Sequence, residues 1–372
     1  MTSIHARNKA DELFDVIDEA IRVSRNGPHA ASTSDLHIEG NEPPWHRVDG
    51  AMHRMDLPVA DPDAIRAFCE TYLSKREYER LSGQHGAADG AIAHPGLGGI
   101  RIHAFRAENG LALALRLLRE GVPDLAALGL PAVVSTFADF ATGLVLFTGP
   151  TGSGKTTALA ALIERINSTY ARNIVTIEEP IEYRYTSNVS LVRQREIGRD
   201  VGSYAEALRG VLRADPDVIL IGELRDPDVM AACLSASETG HLVFSTLHTS
   251  EAAETVQRIV GAFDGARQEQ ARVQLAQSLR AIVSLRLLPD ASGSGRRSAC
   301  EVLLNSSAIR SQLMSPEKAM QIRNTIETSR TFGMQTLEMD LSRMVSERLI
   351  TYDAAVAASD YPDQIRLSAS IR

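Results

Sequence analysis

The spacing of apolar residues changes period partway along the chain. Leu13, Phe14, Val16, Ile17, Ile21 and Val23 are interleaved with Asp11, Glu12, Asp15, Asp18 and Glu19. That spacing predicts a helix with one apolar and one acidic face. Ser34 to Glu39 alternates polar and apolar as a strand does, Pro43-Pro44 interrupts, and Trp45 to Gly50 reads as strand then turn. A helix is predicted from Pro62 to Leu81, a Gly/Ala-rich loop over 83–99, and strands at Ile100–Phe105 and Ala112–Leu118. Gly121-Val122-Pro123 then breaks the pattern. We therefore expect a small α+β domain over 1–119 and a linker over 120–131.

From 132 to the end the pattern is that of a different architecture. Short apolar runs at Leu144–Thr148, Ile174–Glu178, Val218–Ile221 and Leu242–Thr246 are separated by helical segments such as Tyr204–Leu212 and Pro227–Ser237. Buried strands alternating with helices predict an α/β domain with a mostly parallel sheet covered on both faces. The tail reads as helices at Ala308–Met314, Pro316–Thr328, Thr336–Leu349 and Tyr352–Ala358, and Ala291–Gly295 as a flexible patch.

The first of those strands leads into Gly149-Pro150-Thr151-Gly152-Ser153-Gly154-Lys155-Thr156, and Thr157 continues into a helical run. This is G-x-x-x-x-G-K-[ST] in the strand–loop–helix context that it requires. Its glycines let backbone N–H groups approach a polyphosphate, and the helix adds the positive end of its dipole. Lys155 is placed to reach the β- and γ-phosphates and Thr156 to ligate Mg²⁺. A nucleoside triphosphate is the expected ligand.

At 372 residues, with 44% hydrophobic and 23% charged residues, the chain has room for two globular domains. A net charge of −8 argues against nonspecific nucleic-acid binding. Cys69, Cys233 and Cys300 are widely spaced and suggest neither a disulfide framework nor a zinc site. No apolar run approaches the roughly 18 residues of a membrane span, and the first helix is too acidic for a signal peptide. The expected location is the cytoplasm.

Hydrolysis needs Mg²⁺, an oriented water and charge stabilisation. Val218–Ile221 is an apolar strand followed by Gly222-Glu223, with glycine where an aspartate usually stands, so Glu223 is the candidate for holding Mg²⁺ or its water shell. Ile174–Ile177 leads into Glu178, Glu179 and Glu182, at the strand end where α/β sheets bind ligands. One of the three can polarise water; the chemistry alone does not choose among them. His241 and His248 bracket Leu242–Thr246, too far apart to share a metal, though one can sense the γ-phosphate. Arg193, Arg195, Arg199, Arg209 and Arg213 precede the Glu223 strand and are candidates for a phosphate-facing arginine or for surface pairs with groups such as Glu206.

Taken with the phosphate loop, the segments 176–183, 194–198, 215–226 and 238–249 resemble the secretion ATPases that power type IV pili and type II and IV secretion. Within that family the resemblance is nearest to the pilus retraction ATPases. It implies a PAS-like N-terminal domain followed by a RecA-like ATPase domain with a helical C-terminal tail, assembled as a cytoplasmic homohexamer. It implies ATP and Mg²⁺ as ligands, Glu182 as the water-positioning residue and Glu223 as the Mg²⁺-associated carboxylate. His241 and His248 correspond to the family's histidine box. Arg195 and Arg213 correspond to arginines that approach the phosphates, and Arg101 and Arg116 to arginines of the N-terminal domain. Implied partners are an inner-membrane pilus platform protein, binding the ring peripherally at the inner-membrane face, and a paralogous ATPase; no nucleic acid is implied. Ala308-Ile309-Arg310 begins a retraction-type motif, and Ser311-Gln312-Leu313-Met314 departs from it. Glu179 stands where the family has aspartate. These departures keep an accessory retraction paralogue and a conjugation, type IVB or type II secretion ATPase as alternatives. From another class, the rival is a RecA-like nucleic-acid-dependent ATPase.

Overall fold

A computed structural model describes residues 2–26, 33–48, 51–83, 86–94, 97–118, 121–293 and 295–366; of 2–8, 25–26, 33–34, 93, 97–98 and 118 only the backbone is described. The chain forms two compact units, Met1–Gly121 and Val122–Arg372.

In the first unit, β1 (Thr33–Glu39), β2 (Trp45–Val48), β3 (Ala51–Arg54), β4 (Ala87–His94), β5 (Leu97–Ala107) and β6 (Gly110–Leu118) form an antiparallel sheet in the order β3-β2-β1-β6-β5-β4. Leu36, Ile38, Ile100, Ile102, Leu113 and Leu115 share a core with Leu13 and Ile17 of α1 (Thr2–Asn26) and Ile65 and Phe68 of α2 (Pro62–Tyr72). Alternate positions carry the polar groups. Arg47 lies opposite Asp35, Asp35 opposite Arg116, and Arg116 opposite Arg101. This row places the two arginines implied by the family resemblance side by side.

Two expectations change here. The helix expected from Pro62 to Leu81 is two helices, because Leu73 is extended and Ser74 starts α3 (Lys75–Ser82), its hydroxyl accepting from the Glu77 amide. The expected loop over 83–99 contains β4, which pairs with β5 along most of its length. Its small residues reflect close packing: a Cβ on Gly90 would stand 2.5 Å from Leu73 Cδ2. Composition alone does not show that constraint. Asp49, Gly50 and residues 84–85 and 95–96 of these expected segments lie outside the described residues.

The second unit begins with residues that had the composition of a linker. Leu125 is buried in its core, and Val122, Leu128 and Leu130 pack against it. After the short α4 (Ala132–Ser135) come β7 (Gly143–Thr148), α5 (Lys155–Thr169), β8 (Asn173–Glu178), β9 (Leu191–Glu196), α6 (Tyr204–Val211), β10 (Val218–Ile221), α7 (Pro227–Glu238), β11 (Leu242–Leu247), α8 (Ala252–Gly261), α9 (Ala266–Ser278), β12 (Leu279–Pro289) and β13 (Arg296–Leu304). The tail carries α10 (Ser307–Leu313), α11 (Ile322–Thr328), α12 (Leu337–Ser346) and α13 (Tyr352–Ala358). The sheet order is β13-β12-β7-β11-β10-β8-β9, all parallel except β13. Strands β9, β12 and β13 were not expected. Arg193, Arg195, Arg296 and Arg297 dilute the apolar signal in β9 and β13, and β12 continues directly from α9.

Both faces of the sheet are buried. Leu144, Leu146, Ile219, Ile221 and Val243 pack with α6 to α9, whereas Val145, Phe147, Leu220 and Phe244 pack with α5 and Phe137. This two-sided burial accounts for the nearly continuous apolar character of the central strands. Among the described residues no helix is long and apolar enough to cross a membrane. Phe244 is wholly buried on a central strand. We expect Phe244→Ala to destabilise this unit by about 3–5 kcal/mol, measured by urea unfolding.

Candidate functional site: a phosphate loop among carboxylates

Five parallel strands bring distant segments to one edge. Thr148 pairs with Leu247 and Ser284, and Ile221 with Ile177 and Ser245. The segments after β7, β8, β10 and β11 therefore emerge together. They carry the phosphate loop, Glu178 to Glu182, Glu223 and His248. Strand β11 lies between the phosphate-loop strand and the Glu223 strand.

The loop has a backbone that most side chains would forbid. Gly149, Gly152 and Gly154 have φ of 134°, 79° and 96°. A Cβ on Gly149 would stand 2.4 Å from the Leu285 carbonyl oxygen, while those on Gly152 and Gly154 would meet nothing within 4 Å. The first glycine therefore answers close packing. The other two leave space beside the start of α5, where unpaired helical N–H groups favour an anion. Ser153 Oγ is buried with no protein partner, an orphan that a polar ligand would satisfy.

Lys155 is buried, and its Nζ donates to the carbonyls of Gly149 (2.7 Å) and Pro150 (3.0 Å). Burial lowers its pKa, and the charges of Glu223 and Glu182 oppose that shift. Both acidic side chains thus act on the loop lysine. The Glu223 carboxylate accepts from Arg225 Nε at 2.8 Å and faces His248 Nε2 at 3.2 Å. Arg225 also lies 3.9 Å from Glu179. A Cβ at Gly222, the residue before Glu223, would stand 2.9 Å from the Tyr204 hydroxyl, which would have to give way.

The three carboxylates after β8 have different surroundings. Glu178 is buried, accepts from Thr176 Oγ1 (2.7 Å), Gln194 Nε2 (3.3 Å) and the Glu182 backbone, and is pushed by burial to about 7. Glu179 is half exposed beside Arg225. Glu182 is half-buried and acts on Lys155. The distinction that the chemistry of the sequence left open is thus one of surroundings.

The histidines separate. His248 joins the site, while His241 precedes β11, where its carbonyl accepts from the Gly143 amide and its Nδ1 lies 3.0 Å from the Ala236 carbonyl. That is the opposite edge of the sheet, about 20 Å away across a six-residue strand. Arg213 lies at that same far edge, just before the turn whose Ala214 and Asp215 carbonyls accept from Asn173 at the start of β8. Arg195 pairs with Ile177 on the edge strand β9, its guanidinium toward Gly210 of α6. Tyr183, Gln194, Tyr204 and Arg225 carry no role in the sequence reading. Three of them stand inside segments that resemble the family; Tyr183 and Gln194 bond partners in other elements, whereas Arg225 bonds Glu223 just before it in the chain.

The candidate oxygens for Mg²⁺ are the hydroxyl of Thr156, next in sequence to Lys155, and the carboxylate of Glu223, whose charge acts on Lys155; no group of three or more His, Cys, Asp or Glu gathers as a metal site among the described residues. This sparse oxygen set suits an ion that keeps waters and takes its other ligands from substrate phosphates.

A parallel sheet with a phosphate loop at the carboxyl edge of its strands, and a further strand between that loop and the second acidic strand, defines a RecA-like P-loop ATPase. The chain belongs to the type II/IV secretion system protein family, whose profile matches residues 31–360. It is 38% identical over 330 residues to the type IV pilus retractation ATPase PilT of Pseudomonas aeruginosa, covering 89% of this chain and 95% of that protein. It is 34% identical over 334 residues to the type IV pilus ATPase PilU of the same organism, covering 90% and 87%. The crystal structure of the pilus retraction motor PilT with bound ADP superposes with a TM-score of 0.84 at 38% identity, covering 94% of this chain and 97% of that one. The chain is an ATP-hydrolysing enzyme with a nucleotide site.

Glu178 ties stability to pH. Its folded value of about 7 lies above the ordinary 4.5, so the folded chain holds this proton more tightly than the unfolded one. The resulting stabilisation is complete below about pH 4.5 and is lost as pH rises through about 7. We expect Glu178→Gln to gain stability relative to the parent chain between pH 5 and pH 8, read from urea midpoints at the two pH values.

Proposed function

We propose that this chain is the subunit of a homohexameric motor that hydrolyses ATP to power type IV pilus retraction. What carries the chemistry is the buried Lys155 of the phosphate loop, with the charges of Glu182 and Glu223 acting on it. The retraction reading rests on similarity to pilus retraction ATPases along nearly their whole length.

In this reading the backbone from Gly149 to Gly154 cradles the phosphates, Lys155 neutralises the terminal ones, and Thr157 continues the cradle into α5. Thr156 and Glu223 would hold Mg²⁺, which supplies electrostatic stabilisation of the phosphate oxygens. Glu182 takes the proton of the attacking water, and His248 beside Glu223 senses the terminal phosphate. Arg213 and His241, at the far edge of the sheet, act on the site of a neighbouring subunit. The motor's cycle would be driven by the different contacts that ATP and ADP make. The ring would work in the cytoplasm, peripherally against an inner-membrane platform protein and with a paralogous ATPase as a further partner.

Lys155→Ala is expected to abolish ATP binding. Glu182→Gln should bind ATP normally and lose about 10²- to 10⁴-fold in turnover, measured by phosphate release; wild-type turnover in that variant would refute the assignment. A strain lacking the protein should display pili that it cannot retract.

The neighbouring-subunit role of Arg213 has its own test. Lys155→Ala and Arg213→Ala subunits, each inactive alone, should recover activity when mixed in equal amounts before assembly. Random rings would approach about a quarter of wild-type turnover, because that share of interfaces is intact on both sides. No recovery would place Arg213 outside this role.

A further inference from the structure

The segment carrying Glu182 is held at both ends by one side chain. Gln194, half-buried on β9, donates from Nε2 to the Tyr183 carbonyl at 2.7 Å and to Glu178 Oε1 at 3.3 Å. Its Oε1 accepts from the Tyr185 amide at 3.0 Å. The opposite amide orientation would face a donor with a donor and two acceptors with an acceptor, so the network sets it. Two residues along β9, Glu196 Oε2 accepts from the Ile181 amide at 3.2 Å. The Tyr183 hydroxyl lies 3.0 Å from Thr157 Oγ1, next to Thr156 in the first turn of α5. A continuous chain of hydrogen bonds thus runs from β9 through residues 181–185 to the helix that carries the phosphate loop.

We propose that Gln194 and Tyr183 are positioning residues for hydrolysis: Gln194 fixes the segment that presents Glu182, and the Tyr183–Thr157 contact sets its distance from the phosphate loop. The inference rests on Glu182 as the water-orienting residue. A short segment tethered only by its ends would let a carboxylate wander by more than the fraction of an ångström that catalysis tolerates, and a displacement of about 1 Å can cost on the order of a hundredfold. Neither residue touches the reacting atoms; both act through Glu182.

The test uses the full chain, with steady-state phosphate release for kcat and a fluorescent ATP analogue for affinity. Gln194→Ala should lower kcat by about ten- to a hundredfold while leaving nucleotide affinity close to wild type. Tyr183→Phe, which removes one hydroxyl and keeps the ring, should show the same pattern at smaller size. Tyr183→Phe with Thr157→Val should be no worse than the poorer single variant, because both delete one contact. In the Glu182→Gln background, Gln194→Ala should lower the residual rate no further. Wild-type kcat in Gln194→Ala, alongside a slow Glu182→Gln, would overturn the clamp and leave the role of Glu182 intact. An equal fold-loss from Gln194→Ala in both backgrounds would also overturn it, since Gln194 would then act independently. Wild-type turnover in Glu182→Gln would instead overturn the reading of Glu182 itself.

Discussion

A buried ammonium group constrains the site more than any other single feature. Lys155 sits inside its own loop, and removing its charge from water is costly unless opposite charge stands close by. Two loop carbonyls accept hydrogen bonds from it, and Glu223 and Glu182 supply the opposing charge. Those carboxylates follow two different strands, so the requirement reaches through the sheet. The strands β8 and β10 must run parallel in a register that ends both at the same edge, and the observed pairing of Ile177 with Ile221 does this.

Similar coupling explains details that look incidental in isolation. Gly222 gives Tyr204 the room to stand over the Glu223 strand. Arg225 links Glu223 to Glu179, joining the two acidic strand ends. Glu178, close in sequence to Glu182, is not among the charges that act on Lys155. It lies under the segment that carries Glu182 and receives hydrogen bonds that hold that segment. Acidic residues close together in sequence thus divide into one whose hydrogen bonds tie the segment to β8 and β9 and one whose charge acts on Lys155.

The sheet also separates functions by its two edges. One edge collects the phosphate loop, Glu182, Glu223 and His248; the other carries Arg213 and His241. Residues at the second edge lie about 20 Å from the phosphate loop along the strands, and the proposed function assigns them to a neighbouring subunit.

Much of this was legible in the chain itself. The phosphate loop, four of the seven strands of its sheet and most of the helices of that unit follow from apolar spacing and from glycines at positions with positive φ, which are local properties. The edge strand β9, the strand β4 and the break between α2 and α3 were not, because they depend on partners or packing far away in sequence: β8 for β9, Leu73 against Gly90 for β4. The site divides in the same way. Residue types and strand ends named Glu178, Glu179, Glu182, Glu223, His241 and His248 as candidates, since a side chain's chemistry travels with its identity. Which carboxylate is buried, which faces Lys155 and which histidine joins the site was decided only by tertiary structure, because burial and charge proximity depend on what the fold places alongside and not on what lies next along the chain.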